Sequence, residues 1–163
     1  MSLTMDSIFR SDQDEFLIGQ EQDDSRQKIV VKSSTTYRHD YPTVTADPDL
    51  VLKVYSDTTY SFKANIIASG DSTTPDLDFK MIAPTGAQGT WQFYEDGVLF
   101  STIFSMTNGR TNFQLTTSNS HITIVGTFSN VKTGTIAFAW AQANSDADDT
   151  RISATSSLEV YKI

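Results

Sequence analysis

Side chains that could do chemistry are sparse in this sequence, and the most suggestive group is Ile66-Ile67-Ala68-Ser69-Gly70-Asp71-Ser72. A Gly-Asp-Ser following an apolar alternation resembles the nucleophile block of lipase-like hydrolases. There a serine is activated by a histidine that an aspartate holds in place. Such enzymes carry the histidine near the C-terminus, with the aspartate shortly before it. The two histidines here, His39 and His121, do not sit in that context, so the segment reads as a turn between strands. A second group, Asn144, Asp146, Asp148 and Asp149, offers hard oxygen ligands at the spacing that suits calcium. It departs from the calcium loop of helix-loop-helix proteins, because Asp149 stands where glycine is required and no glutamate follows at the distal position. A solvated hairpin loop is the expectation. His39-Asp40 and His121 make no cluster with metal-ligand spacing. Asp76 and Asp78 share one face of a strand, but carboxylates are too common here for that pair to mark a glycosidase. No glycine-rich phosphate loop is present. The sequence has no cysteine, so it has no thiol nucleophile, thiolate metal site or disulfide. The expectation is a protein that is not an enzyme, with no catalytic residues, no metal site and no cofactor.

Composition narrows the partners. The formal net charge of -8 would repel a phosphate backbone, which excludes nucleic acid as the expected partner. No apolar run approaches the ~20 residues of a membrane-spanning helix, and the first residues lack the basic and apolar regions of a signal peptide. Hydrophobic residues make up 38% and charged residues 20% of the 163, a globular balance for one domain with an appendage. Serine and threonine supply about a quarter of the chain, a bias toward strands and turns over helices.

The elements that must position any site are strands. Tyr60, Phe62, Ala64, Ile66 and Ala68 alternate with Ser61, Lys63 and Asn65, and Leu77, Phe79, Met81 and Ala83 repeat the pattern. Ile122, Ile124, Gly126 and Phe128 form another stripe. Ile136, Phe138 and Trp140 form the next, with Ala137, Ala139 and Ala141 on the opposite face. Ile152, Ala154, Ser156, Leu158 and Val160 supply a last strand, and weaker strands fall near Ile29–Arg38, Leu50–Tyr55, Thr90–Tyr94, Val98–Phe104 and Asn112–Thr116. Turn residues separate them: Gly70-Asp71-Ser72, Pro84-Thr85-Gly86, Asp96-Gly97, Asn108-Gly109, Thr133-Gly134 and Asn144-Ser145-Asp146. Eight to ten strands predict an all-β, two-sheet antiparallel sandwich of jelly-roll type over residues 29–163. Trp140, on an apolar stripe, is expected in the core.

Residues 1–28 differ. Seven acids face three bases, and the apolar residues cluster at Ile8-Phe9 and Phe16-Leu17-Ile18. Such a segment cannot bury itself, so it reads as an extended N-terminal arm, with a short helix beginning near Ser11. Ile8, Phe9, Phe16, Leu17 and Ile18 are the expected partner-binding anchors.

One resemblance extends this reading. The ending Gly134-Thr-Ile-Ala-Phe-Ala-Trp-Ala-Gln142, the Asn144-Ser-Asp-Ala147 loop and the final Ser157-Leu-Glu-Val160 strand resemble the close of a group of small bacteriophage virion proteins. Tyr60-Ser-Phe-Lys-Ala64, Leu77-Asp-Phe-Lys-Met-Ile-Ala-Pro-Thr-Gly86 and Trp91 match the same group in the same order. The resemblance covers about Ser56 to Ile163, roughly two-thirds of the chain, and leaves the arm outside it. It implies a capsid decoration or cement protein on the outer surface of the head, with the major capsid protein as partner; a homotrimer is the expected assembly, by analogy with projecting jelly rolls that associate about threefold axes and because a lone exposed sheet edge invites uncontrolled pairing. The alternative it implies is a carbohydrate-binding module of a tail fibre or head appendage, for which Tyr55, Trp91 and Tyr94 are candidate contacts.

Overall fold

The computed structural model of the chain describes residues 26–72, 76–100, 102–107, 109 and 111–163. The expected helix near Ser11 and the anchors Ile8, Phe9, Phe16, Leu17 and Ile18 lie outside these residues. The strands, in chain order, are β1 Gln27–Val31, β2 Thr36–Arg38, β3 Thr45–Val54, β4 Thr58–Gly70, β5 Leu77–Ile82, β6 Gln88–Glu95 and β7 Val98–Leu99. They continue with β8 Phe104–Ser105, β9 Thr111–Phe113, β10 Ser120–Asn130, β11 Gly134–Gln142, β12 Thr150–Ile152 and β13 Ser157–Lys162. The described residues contain no helix.

The architecture grows from the Asp96-Gly97 turn. Both residues have positive φ, 45° and 85°, the backbone of the tight hairpin turn whose twist matches the strands it joins. It folds β7 back on β6, with Glu95 opposite Val98. Outward from that tip the pairs nest. β5 lies against β9, β4 against β10 and β3 against β11, all antiparallel. The result is one long hairpin ribbon. The ribbon is rolled so that β10 also pairs with β6 and β11 with β5, and the strands separate into two sheets. One runs β1-β13-β4-β10-β6-β7 and the other β3-β11-β5-β9. Nested pairing wrapped into two four-stranded halves is a jelly roll, so the expected sandwich is the observed fold. The segments outside the ribbon extend the first sheet. β13 and β12 pair with successive parts of β4, and β1 and β2 pair with them in turn.

Period-two patterning translates directly into burial. Tyr60, Phe62, Ala64, Ile66 and Ala68 face inward from β4, Ile122, Ile124 and Phe128 from β10, and Leu77, Phe79 and Met81 from β5. Phe79 joins the layers: its ring centroid lies 5.9 Å from Trp91, 5.3 Å from Phe93 and 5.8 Å from Phe138. Gly126 makes room within this packing, because a Cβ there would stand 2.6 Å from the Phe62 ring and 2.5 Å from the Thr90 carbonyl oxygen.

Several expected elements are corrected. The strand expected over Ile29–Arg38 is two strands, since Lys32 turns inward and its backbone pairs with the Thr155-Ser156 turn. That turn also divides the strand expected over Ile152–Val160. Among the described residues, Val98–Phe104 holds two short strands, β7 and the start of β8, and β3 starts five residues before the expected Leu50. Ala137, Ala139 and Ala141 are buried like the opposite face of β11. β11 is an inner strand, and Val51, Lys80 and Ile82 flank these alanines in register with longer side chains on the same face.

Two glycines give a direct test of this packing. Gly126→Ala should cost more than about 2 kcal/mol, because backbone or a packed ring must move. Gly97→Ala meets nothing within 4 Å and should cost about 1 kcal/mol of backbone strain alone. Urea unfolding of both variants checks the order, and equal losses would contradict the close approach at Gly126.

Candidate functional site

The densest chemistry lies where the two sheets meet along β1, β2 and β3. β3 carries an irregularity opposite β11, whose Ala137 pairs with Val51 while Ala139 pairs with Ala46. Residues 47–50 therefore stand opposite Phe138 alone. Pro48, which has no N–H to donate, sits in this bulge as the ladder allows. The bulge turns the Asp47 carboxylate into the core, where the side chain is fully buried.

A buried carboxylate must be paired and hydrogen-bonded, and Asp47 is. Lys32 Nζ donates to Oδ1 at 2.9 Å, the Asp49 N–H donates to the same oxygen at 3.1 Å, and the Trp140 indole N–H donates to Oδ2 at 3.0 Å. Lys32 is itself fully buried and spends its other protons on Asp49 Oδ2 at 2.9 Å and Thr36 Oγ1 at 2.6 Å. Above Trp140, the Arg38 guanidinium lies 4.1 Å from the indole ring centre and donates to the carbonyl oxygens of Trp140 and Thr45. Burial lowers the Arg38 pKa from its ordinary value, and the Asp47 carboxylate and Tyr41 oppose that shift. Trp140 is thus a core aromatic as expected, and its indole N–H is what satisfies the acid beneath it.

Arg38 also floors a cleft of about 280 Å³ lined by Tyr37, His39, Tyr41 and Thr45. Tyr37 is 55% and Tyr41 41% exposed. The Asn144–Asp149 loop borders this pole and is held by its own chain. Asp146 Oδ1 accepts the Asp148 N–H, the Asp146 carbonyl accepts the Asp40 N–H, and Asp40 Oδ1 accepts from Ser145. These bonds are those of a self-capped loop. Among the described residues no three His, Asp or Glu side chains converge as a metal site would require.

The hydrolase-like residues are partly gathered here, which the sequence did not indicate. His39 Nδ1 lies 3.3 Å from Asp149 Oδ1, and the Asp149 carbonyl accepts the Asp71 N–H. Asp71 itself pairs with Arg151 at 3.2 Å. His121 stands elsewhere, on the outward face of β10 opposite Ile67. Of the proposed sugar contacts, Trp91 is a core residue, 1% exposed and stacked on Phe104 at 4.4 Å. Tyr55 lies under Lys28 Nζ, 4.2 Å from its ring centre, and the Tyr94 hydroxyl accepts from Gln92.

Large apolar side chains emerge at both ends of the first sheet. Val98, Leu99, Phe100 and Ile103 are 40–68% exposed around β7, and Ile29 and Val31 are half-exposed on β1. Beside Ile103 a second cleft of about 350 Å³ opens over Ser61, Thr90, Gln92, Val125 and Thr127. Exposed apolar groups at a sheet edge are interaction surfaces or pairing hazards.

No family model matches the chain, and no curated protein matches it. Among solved structures, the chain is similar to the infectious bursal disease virus Gt strain at 10% identity and a TM-score of 0.26, covering 86% of this chain and 43% of that one. It is also similar to the infectious bursal disease virus VP2 subviral particle, at 9% identity and a TM-score of 0.21, covering 85% and 41%. The chain spans about two-fifths of the length of these proteins. The jelly roll is defined by the strand pairing itself.

Lys32, Asp47, Asp49 and Arg38 were not singled out by sequence reasoning. The available signal was Asp47-Pro48-Asp49, two acids about a proline beside an apolar alternation, which by residue type reads as a turn; only the pairing with β11 shows that it is a bulge. Removing one member should be costly. Asp47→Ala takes away the fully buried partner of Lys32, leaving the ammonium only Asp49 and Thr36, and orphans the Trp140 and Asp49 N–H groups; it should destabilise by about 3 kcal/mol. Trp140→Phe keeps most of the ring but orphans an Asp47 oxygen and should cost about 1 to 3 kcal/mol. Trp140→Ala adds a cavity and should cost at least 3 kcal/mol. Denaturant midpoints read all three, and an Asp47→Ala loss below about 1 kcal/mol would exclude the buried network as a structural element.

Proposed function

We propose that this protein is a structural component of a bacteriophage particle, a decoration or cement protein whose jelly roll stands on the outer surface of the head. Its partner in this reading is the major capsid protein, and the assembly is a homotrimer. The nested strand pairing carries the proposal. Double-sheet jelly rolls recur in viral capsid and lectin domains, a link at the level of fold. The virion-like ending supports the same reading: its Trp140-Ala-Gln142 strand places the indole in the polar core, and its Ser157–Val160 segment closes the sheet on β4. The exposed edge around Val98, Leu99 and Ile103 supplies a contact surface for an assembly. Binding only the assembled shell stabilises it by mass action.

In this reading residues 1–28 tether the domain, with Ile8-Phe9 and Phe16-Leu17-Ile18 as anchors. Burying each such side chain is worth roughly 1.5 to 3 kcal/mol before ordering costs, and repetition over a shell adds avidity. A chain lacking residues 1–28, or carrying Phe9→Asp with Leu17→Asp, should fold as β-sandwich by circular dichroism yet leave particles undecorated in co-sedimentation. Wild-type occupancy by the truncated chain would remove the tether and shift docking to the sandwich.

The carbohydrate-binding alternative is favoured by one observation, the exposed Tyr37 and Tyr41 flanking the cleft above Arg38. Glycan-array binding lost on Tyr37→Ala and Tyr41→Ala would replace the decoration reading with this one.

A further inference from the structure

We propose that Lys32 and Asp47 are the reactants of an intramolecular amide bond, Nζ of Lys32 to Cγ of Asp47, which forms inside the folded domain with Asp49 as proton carrier. The groups are already together. Lys32 Nζ is 2.9 Å from Asp47 Oδ1 and 2.9 Å from Asp49 Oδ2, and the Lys32 and Asp47 side chains are both fully buried. The Trp140 N–H is fixed on Asp47 Oδ2 at 3.0 Å. That donor sits where negative charge develops on a carboxyl oxygen under nucleophilic attack. Asp49 differs from its neighbours in being one-third exposed, so it links the buried pair to solvent.

The step balances without a co-reactant. The Lys32 ammonium passes one proton to Asp49, which relays it to Asp47 Oδ1 and returns to carboxylate. Rotation about the terminal bonds of the Lys32 side chain carries the amine out of the carboxyl plane, and its lone pair attacks Cγ. The Nζ–Cγ bond forms, and Oδ2 takes the displaced electron pair while the indole N–H holds it. Asp49 accepts a proton from the nitrogen and delivers it to Oδ1. The Cγ–Oδ1 bond then breaks, Oδ1 leaves as water, and Oδ2 regains its double bond. Nothing is oxidised or reduced.

In water this condensation is opposed by solvation of both ions. Here that solvation is absent, and the product replaces two buried charges by one neutral amide. The amide keeps its partners, since its C=O can hold the Trp140 donor and its N–H can face Asp49 or Thr36. The fixed approach of amine and acid supplies the effective concentration that a bimolecular reaction lacks. The bond would staple the segment after β1 to the bulge of β3 in the opposite sheet. A load applied through residues 1–25 would then reach the jelly roll through a covalent link as well as through the β1–β13 hydrogen bonds. This chemistry is independent of what the protein attaches to.

Mass spectrometry of the full chain, folded, purified and then denatured, is the test. The expected intact mass is one water, about 18 Da, below that of the sequence. Trypsin should leave Lys32 uncut and release Ile29–Arg38 joined to His39–Lys53. Lys32→Arg should show the full mass, as should Asp49→Ala checked as folded by circular dichroism. Asp47→Asn should lose ammonia in place of water. A folded wild-type chain at full sequence mass would overturn the proposal and leave an ion pair. A missing water mapped to a succinimide at Asp96-Gly97, with Lys32 cut normally, would overturn it equally.

Discussion

A carboxylate and an ammonium that are both cut off from water must meet, and that requirement organises one whole side of this domain. Asp47 enters the core because β3 bulges, and Lys32 enters because the first strand breaks at the Thr155-Ser156 turn. Neither irregularity is stabilising alone. Thr155 even holds a φ of 73°, a conformation that is costly for a β-branched residue. Together they let one carboxylate gather an ammonium, a backbone N–H and an indole N–H. The register of β1 against β13, the placement of β3 and the orientation of Trp140 are then fixed together, since moving any one leaves a buried charge or donor without its partner.

The jelly roll beyond this corner follows from a different constraint. A long hairpin with a two-residue turn at its tip can bury its apolar face only by rolling over itself, which brings β10 to β6 and β11 to β5. Nearly every strand pair therefore joins segments distant in sequence, a topology whose closure entropy must be overcome before most contacts form. The terminal segments β1, β2, β12 and β13 then cover the edge of β4 that the ribbon leaves open. What remains uncovered at the β7 end is short and apolar.

The buried cluster has the most concentrated chemistry in the described residues, yet it lies inside the sandwich, whereas the large apolar and aromatic side chains open to solvent lie at the β1 and β7 edges and at the Tyr37–Tyr41 cleft. The interior cluster secures the scaffold. The same division accounts for the weak hydrolase-like signal. His39, Asp149 and Asp71 share a pole because backbone bonds join Asp40 to Asp146 and Asp71 to Asp149, and Asp71 is already paired with Arg151.

Much of the fold is legible in the sequence because burial on one face imposes period two. The stripes of β4, β5, β10 and β11 and the Asp96-Gly97 turn can be read from residue types alone, and with them the all-β class and the core role of Trp140. The face of β1 cannot be read, because Ile29-Val30-Val31 is apolar on both sides. Only the pairing with β13 decides that Val30 packs inward while Ile29 and Val31 point out. The site was hidden for a related reason. Lysine and aspartate are surface residues by default, and their burial becomes favourable only when a partner distant in sequence arrives to neutralise them. By itself the sequence determined which residues must leave water. The tertiary structure decided which charged residues leave with them, because the energy of a buried charge depends on its neighbours and not on its own residue type.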